Sequence, residues 1–251
     1  MPEPPPTSPF AWSLALGSLA ALANVVGGLV VIARREWNER FLKYFVALGA
    51  GFMLAATLLS MLPASLTLHA DAPLLILGGY FLVHFFEHTI APHFHFGEET
   101  HHEHHHDATV TVSALVGLGV HSFFDGVTIG SSFIVDPALG LLLFTAIVLH
   151  KAPEGFAIAS IVLAAHGTPA QALGASCVIG AASLLGGLIM TALPSLVGWA
   201  LAVSAGVTLY VAASDLVPEV NKEEGSAIAL TVFAGVVLYY LTEHLLHALG
   251  V

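Results

Sequence analysis

The sequence has little charge for its length. Of 251 residues, only 9% are charged while 57% are hydrophobic, whereas a soluble domain carries about a quarter charged residues. This excludes an ordinary soluble domain. The apolar residues fall into eight blocks of about the length that spans a bilayer, roughly 20 residues each. The blocks run approximately over 10–33, 43–69, 74–90, 109–135, 138–165, 170–192, 195–217 and 226–249. They predict an all-α, polytopic membrane protein in contact with the lipid bilayer.

Cysteine is almost absent as well. A single cysteine, Cys177, excludes an internal disulfide and a thiolate-rich metal site. A net charge of −11 and the lack of a basic patch argue against nucleic acid as a partner. The first nine residues, 1–9, have no positive region and no cleavage site, so we expect an N-terminal tail and not a signal peptide.

Basic residues are scarce enough to predict the orientation. The chain has six, and four of them (Arg34, Arg35, Arg40 and Lys43) lie between or beside the first two blocks. The positive-inside rule therefore puts this loop in the cytoplasm. With eight spans, both termini are predicted to lie outside, and the membrane is the inner one if the source is bacterial.

Two internal repeats organise the blocks. The fourth and fifth blocks share the pattern H-x-x-x-[D/E]-G-x-x-I-x-S, with an offset of 29 residues. The outer blocks also match, and examples are Gly51 with Gly206 and Pro63 with Pro218. We therefore predict a 3+2+3 inverted-repeat arrangement, which is typical of secondary transporters. Its parts are a first three-helix repeat (10–91), a loop (92–108), a central helix pair (109–165) and a second three-helix repeat (166–251).

The central pair carries the candidate site. His121 and Asp125, and likewise His150 and Glu154, are four residues apart and so share one face of their helix. Two imidazoles and two carboxylates suit a borderline divalent ion such as Zn²⁺, Fe²⁺ or Mn²⁺. Pro153 breaks the backbone hydrogen bonding within this set. The alternative is that the four residues are polar groups that hold two helices together.

With these motifs, the chain resembles the ZIP (Zrt/Irt-like protein) family of divalent metal transporters. The family pattern H-x-x-x-[D/E]-G matches the fourth block, and H-x-x-P-[H/E] matches the fifth. The resemblance implies a metal site formed by His121, Asp125, His150 and Glu154. It also implies import of zinc, or of iron, manganese or cadmium, toward the cytoplasm, by a homodimer with elevator-like motion of helices one, four, five and six. No cofactor is expected beyond the transported ion.

One departure from the family pattern concerns a second, adjacent metal site. Its positions hold Ser122 and Lys151 here, and the sixth block has no carboxylate. We therefore expect a single site, with the Lys151 ammonium standing where a second cation would sit. The alternative is that Lys151 extends to the membrane interface.

The loop after the third block is rich in histidine. Closely spaced imidazoles bind divalent metals weakly and exchangeably. We expect the loop to buffer or sense metal, and a solvated tether is the alternative. The histidines are His93, His95, His101, His102, His104, His105 and His106.

Two other functions would use the same ligands. An intramembrane metal-dependent hydrolase needs an open metal position for water and a separate acid or base, and the four-residue set on the central pair includes no recognisable HExxH motif and has no spare carboxylate nearby. A metal-gated channel or sensor differs from a carrier only in its flux.

Overall fold

The computed structural model describes residues 8–33, 39–89, 108–222 and 226–249. The described residues form eight helical rods and include no strand, which confirms the predicted all-helical fold class. Residues 1–7 of the tail and 90–107, which hold all seven loop histidines, lie outside the described part of the chain.

The eight rods are numbered in chain order. They are α1 (Pro9–Ala33), α2 (Glu39–Ala56, Thr57–Met61 and Leu62–Leu68), α3 (Ala72–Thr89), α4 (Ala108–Val135), α5 (Pro137–Ala164), α6 (Pro169–Ala192), α7 (Pro194–Leu196, Val197–Tyr210, Val211–Leu216 and Val217–Asn221) and α8 (Ser226–Leu249). All except α3 contain a stretch long and apolar enough to cross a membrane. The 18-residue α3 differs because its last two turns contain His84, Glu87 and His88.

Two rods contain a π-helical turn at matching repeat positions. In α2 the turn Thr57–Met61 precedes Pro63, and in α7 the turn Val211–Leu216 precedes Pro218. Proline has no N–H group, so an ideal α-helix would leave a carbonyl unpaired one turn earlier. A wider π turn at this point shifts the hydrogen-bond register. The two outer repeats thus share a local distortion as well as a sequence pattern.

Glycines that correspond in the repeat make corresponding helix contacts. A Cβ at Gly51 of α2 would overlap the Val232 carbonyl oxygen of α8, and a Cβ at Gly206 of α7 would overlap the Ile76 carbonyl oxygen of α3. Each contact brings two backbones together at a point that only glycine permits. The α2–α8 and α7–α3 pairs are therefore related in the way the sequence repeat predicts.

Helices α1, α4, α5 and α6 also contact one another closely at glycines. A Cβ at Gly27 of α1 would overlap the Ala152 carbonyl oxygen of α5, and a Cβ at Gly186 of α6 would overlap the Phe123 carbonyl oxygen of α4. Ala152 and Phe123 are themselves 29 residues apart, the offset of the central repeat. The 3+2+3 inverted arrangement stays a prediction, and these contacts support it.

Large apolar side chains cover the outside of the bundle. Leu74 of α3 is 70% exposed and Phe233 of α8 is 71% exposed. Exposed apolar surface of this extent on two outer helices fits contact with lipid. By contrast, α4 and α5 lie at the centre, where they pack against α6 and α1 respectively. The chain is a multi-pass integral membrane protein, and the central helices α4 and α5 carry buried ionisable residues.

Candidate metal centre

A short hairpin aligns the two halves of the site. Asp136 alone separates α4 from α5, and its side chain accepts a hydrogen bond from the Leu139 N–H at 3.0 Å as the N-cap of α5. Pro137 occupies the first turn, where its missing N–H costs no helical hydrogen bond. Since α4 and α5 are antiparallel and tightly joined, the motif before the turn lies beside the motif after it.

Three of the four predicted ligands converge. Asp125 Oδ2 lies 3.2 Å from His121 Nε2 and 3.1 Å from His150 Nε2. One donor atom from each residue lies within 4.8 Å of the other two, and all three residues are buried. Two imidazole nitrogens and a carboxylate oxygen at this spacing are a suitable donor set for a small divalent cation.

The second ring nitrogen of His150 has its own partner. Nδ1 lies 3.0 Å from the Ala146 carbonyl oxygen, one turn earlier in α5. When the imidazole is neutral, donation from Nδ1–H to this carbonyl leaves the lone pair of Nε2 facing Asp125, as is usual behind a metal-binding histidine. Because both facing atoms are then acceptors, a cation close to them is favoured.

The Lys151 ammonium lies among the carboxylates. Its Nζ is 2.7 Å from Asp125 Oδ2 and 2.5 Å from Glu154 Oε2, and it donates to Ser122 Oγ at 2.6 Å. These three acceptors match the three donors of an ammonium group. The side chain is fully buried, so it does not extend to the membrane interface. The interface alternative for Lys151 is therefore wrong.

Glu154, the fourth predicted ligand, is buried in the same cluster but faces a different set of partners. Ser122 donates to its Oε1 and Lys151 to its Oε2. The structure thus places all four predicted ligands together, with Glu154 joined to the other three through Lys151. Two carboxylates and one ammonium give the cluster a net charge near −1 when the imidazoles are neutral.

Pro153 breaks the hydrogen bonding of α5 beside this cluster. Its ring leaves the Leu149 carbonyl without a donor from within the helix. The carbonyl faces α2, where a Cβ built at Gly49 would lie 3.8 Å from its oxygen. An unpaired carbonyl is tolerated in a membrane where it is covered by protein or lines a cavity.

A cavity of about 220 Å³ lies between α3, α4 and α7 and reaches the site. Its lining is apolar except for His121 at one point and Glu87 at another. Glu87 is buried and accepts a hydrogen bond from the Tyr210 hydroxyl at 3.0 Å. No sequence pattern singles out Tyr210. The repeat, in which Glu87 matches Glu243, is the one signal in the sequence that points to Glu87.

Comparison with known proteins gives a consistent result. A family model described as ZIP Zinc transporter matches residues 99–242. The zinc transporter ZupT of Escherichia fergusonii is 28% identical over 218 residues, which are 82% of this chain and 85% of that protein. Human zinc transporter ZIP10 is 30% identical over 122 residues, or 47% of this chain, and the mouse metal cation symporter ZIP14 is 32% identical over 111 residues, or 41%.

The animal relatives are much longer than this chain. The matched part is 15% of human ZIP10 and 22% of mouse ZIP14. The family match itself begins just before α4 and ends within α8. It therefore includes both copies of the central motif.

Proposed function

Since the chain belongs to the ZIP zinc transporter family, we propose that it carries a divalent transition-metal ion across the membrane through a single site between α4 and α5. The observation that supports this most directly is the buried donor cluster of His121, Asp125 and His150, with Glu154 next to it. Zinc is the foremost substrate, because two imidazoles and two carboxylates suit a zinc ion. Relatives of this chain are also named zinc transporters. Iron, manganese and cadmium are further candidates for the same donors.

In this proposal the ion takes the place now held by the ammonium. A dication at the site interacts with both carboxylates, so Lys151 Nζ has to leave Asp125 and Glu154 when the ion enters. Two carboxylates and one ammonium give the empty site a net charge near −1. Binding of a dication changes this net charge to near +1. The ammonium thus reduces the charge of the empty site in apolar surroundings and lowers metal affinity by like-charge repulsion. Both effects favour release of the ion.

The packing of the helices suits a moving unit. One group of helices is joined by glycine contacts at Gly27 and Gly186 and comprises α1, α4, α5 and α6. The other pairs α2 with α8 and α7 with α3, through Gly51 and Gly206. We propose that the first group moves against the second in an elevator-like manner and delivers the ion toward the cytoplasm. Inverted repeats provide the two alternative packings that such a movement needs.

Three further parts of the proposal come from the sequence and the family. Both termini are proposed to lie on the outer side of the membrane, opposite the cytoplasm, because the basic residues cluster after α1. The protein is proposed to act as a homodimer. The histidine-rich loop is proposed to buffer or sense metal on the cytoplasmic side.

Uptake into proteoliposomes tests the proposal. Vesicles containing the purified protein are given Zn²⁺, Fe²⁺, Mn²⁺ or Cd²⁺, and the internal metal is measured with time. We expect concentration-dependent, saturable uptake of zinc, and uptake near that of empty vesicles for His121→Ala. Equal uptake by the native protein and His121→Ala would contradict the proposed site. Uptake that does not saturate would indicate a channel, not a carrier.

A further inference from the structure

An asparagine of α1 lies unpaired in the interior. Asn24 is fully buried, and in the described part of the chain neither its amide nitrogen nor its amide oxygen has a hydrogen-bond partner. A buried polar group left unpaired destabilises the folded state. Such a group in a folded protein calls for a specific explanation. The explanation here begins with the neighbours of Asn24.

Asn24 contacts α5 next to the proposed site. A Cβ built at Gly155 would overlap the carbonyl oxygen of Asn24, and Gly155 follows Glu154 directly. Gly155 also lies four residues after Lys151, so the two share a face of α5. The contact uses backbone atoms of Asn24, so a change of the Asn24 side chain leaves it in place.

A neighbouring apolar cluster fixes the level of Asn24 in the bundle. Ala20 belongs to a buried cluster with Ile129 of α4 and Ile147 of α5. Ala20 lies near Ile147 and Asn24 lies against Gly155, so α1 and α5 run in the same direction. Helix α4 is antiparallel to α5 and so runs in the opposite direction. One turn onward from the cluster in each helix are Asn24, Asp125 and Lys151. Asn24 therefore lies at the level of the Lys151–Asp125 ion pair along the helices.

We propose that Asn24 accepts the Lys151 ammonium when a metal ion occupies the site. The inference rests on the proposed function, since the ammonium has to leave Asp125 and Glu154 only if an ion replaces it. A displaced ammonium in a dry interior needs an acceptor, because a buried charge without one is costly. The Asn24 amide oxygen supplies such an acceptor on the same face of α5. Asn24 is thus a positioning residue that pairs with the Lys151 ammonium in the metal-loaded state.

A double-mutant cycle tests this proposal. Zinc binding is measured by calorimetry on the purified full-length chain, with the His121→Ala titration subtracted to remove binding by the loop. Asn24→Leu keeps the side-chain size and removes the acceptor, and Lys151→Met removes the ammonium. We expect Asn24→Leu to weaken zinc binding about tenfold when Lys151 is present, since a hydrogen bond to a charged group is lost. With Lys151→Met, the same change should alter binding by less than about twofold.

A second substitution at Asn24 distinguishes a role as hydrogen-bond acceptor from a role in packing alone. Asn24→Asp offers a stronger acceptor for an ammonium, so we expect tighter zinc binding with Lys151 present. A packing role alone would give weaker binding with both Leu and Asp. The matched control is Ser13→Ala, which removes another buried polar group of α1 without a partner among the described residues, and we expect no change in zinc binding.

The outcomes distinguish this inference from the proposed function. If Asn24→Leu weakens binding by the same factor in both Lys151 backgrounds, or in neither, the inference is overturned while the metal site stands. If His121→Ala leaves the zinc titration unchanged, the proposed metal site fails, and the role of Asn24 fails with it.

Discussion

The two copies of the central motif, on α4 and α5, differ most at the residue after each histidine. His121 is followed by Ser122 and His150 by Lys151, and both pairs occupy equivalent positions of the 29-residue repeat. The histidines lie on either side of Asp125, whereas Glu154 is held by Ser122 and Lys151. The repeat therefore supplies a symmetric donor set, and one lysine makes its charge asymmetric. Equivalent positions thus carry a neutral hydroxyl on α4 and a charge-compensating ammonium on α5.

The largest expected effect is the loss of the carboxylate shared by both histidines. Asp125→Asn removes the oxygen that faces His121, His150 and Lys151. Loss of a residue that only orients a metal ligand typically lowers metal affinity about 10–100-fold. We expect Asp125→Asn to lower zinc affinity by more than this. Glu154→Gln should cost less, because Asp125 still faces both imidazoles. Calorimetric titration of both variants measures the order, and a larger loss for Glu154→Gln would show that the observed arrangement does not represent the binding site.

Moving the ammonium from one copy of the motif to the other tests whether the two positions are equivalent. Ser122→Lys alone places two ammonium groups beside two carboxylates, and we expect repulsion to weaken zinc binding strongly, though less than Asp125→Asn does. Adding Lys151→Ser restores the original charge count, so binding should return to within about tenfold of the native affinity if the copies are equivalent. Zinc titration and thermal unfolding of the single and double variants measure this. A double variant that folds but binds no zinc would disprove the equivalence.

Removing the ammonium is expected to change zinc affinity less, and to raise it instead of lowering it. Lys151→Asn takes away a positive charge that lies close to both carboxylates, so zinc should bind about tenfold more tightly. Uptake should slow, because tighter binding delays release. Calorimetry and proteoliposome uptake test the two parts. Lys43→Asn, in a lysine outside the cluster, serves as the control, and unchanged affinity in Lys151→Asn would mean that the ammonium does not act on the bound ion.

The smallest effect on transport is expected from the loop. Replacing its seven histidines with alanine leaves the helix pair intact, so the maximal uptake rate should stay within about twofold. The metal concentration at half-maximal uptake, or the regulation by metal, should change because weak imidazole sites are lost. Uptake curves at varied zinc concentration provide the measurement. Complete loss of uptake in a folded variant would assign the loop an essential role.

Much of the candidate site followed from local spacing. His121 with Asp125 and His150 with Glu154 share helix faces because the α-helical repeat places residues four apart together. The 29-residue offset then predicted that the two faces belong to one site, and three of these residues do converge on one another. The close helix contacts at Gly51 and Gly206 also lie at positions matched by the repeat. These features depend on periodicity within a helix, which a sequence displays directly.

Only the tertiary structure decided which partners these residues have. The Lys151 ammonium had two possible directions, and packing placed it between Asp125 and Glu154 because buried carboxylates require a counter-charge. The cavity from His121 to Glu87 and the unpaired amide of Asn24 also depend on which faces of separate helices meet. By itself the sequence determined the all-helical membrane fold, the repeat pattern and the chemical nature of the candidate ligands, since these depend on composition and spacing. The contacts across helices were decided by close packing, because side chains far apart in the chain meet only when the backbones are brought together.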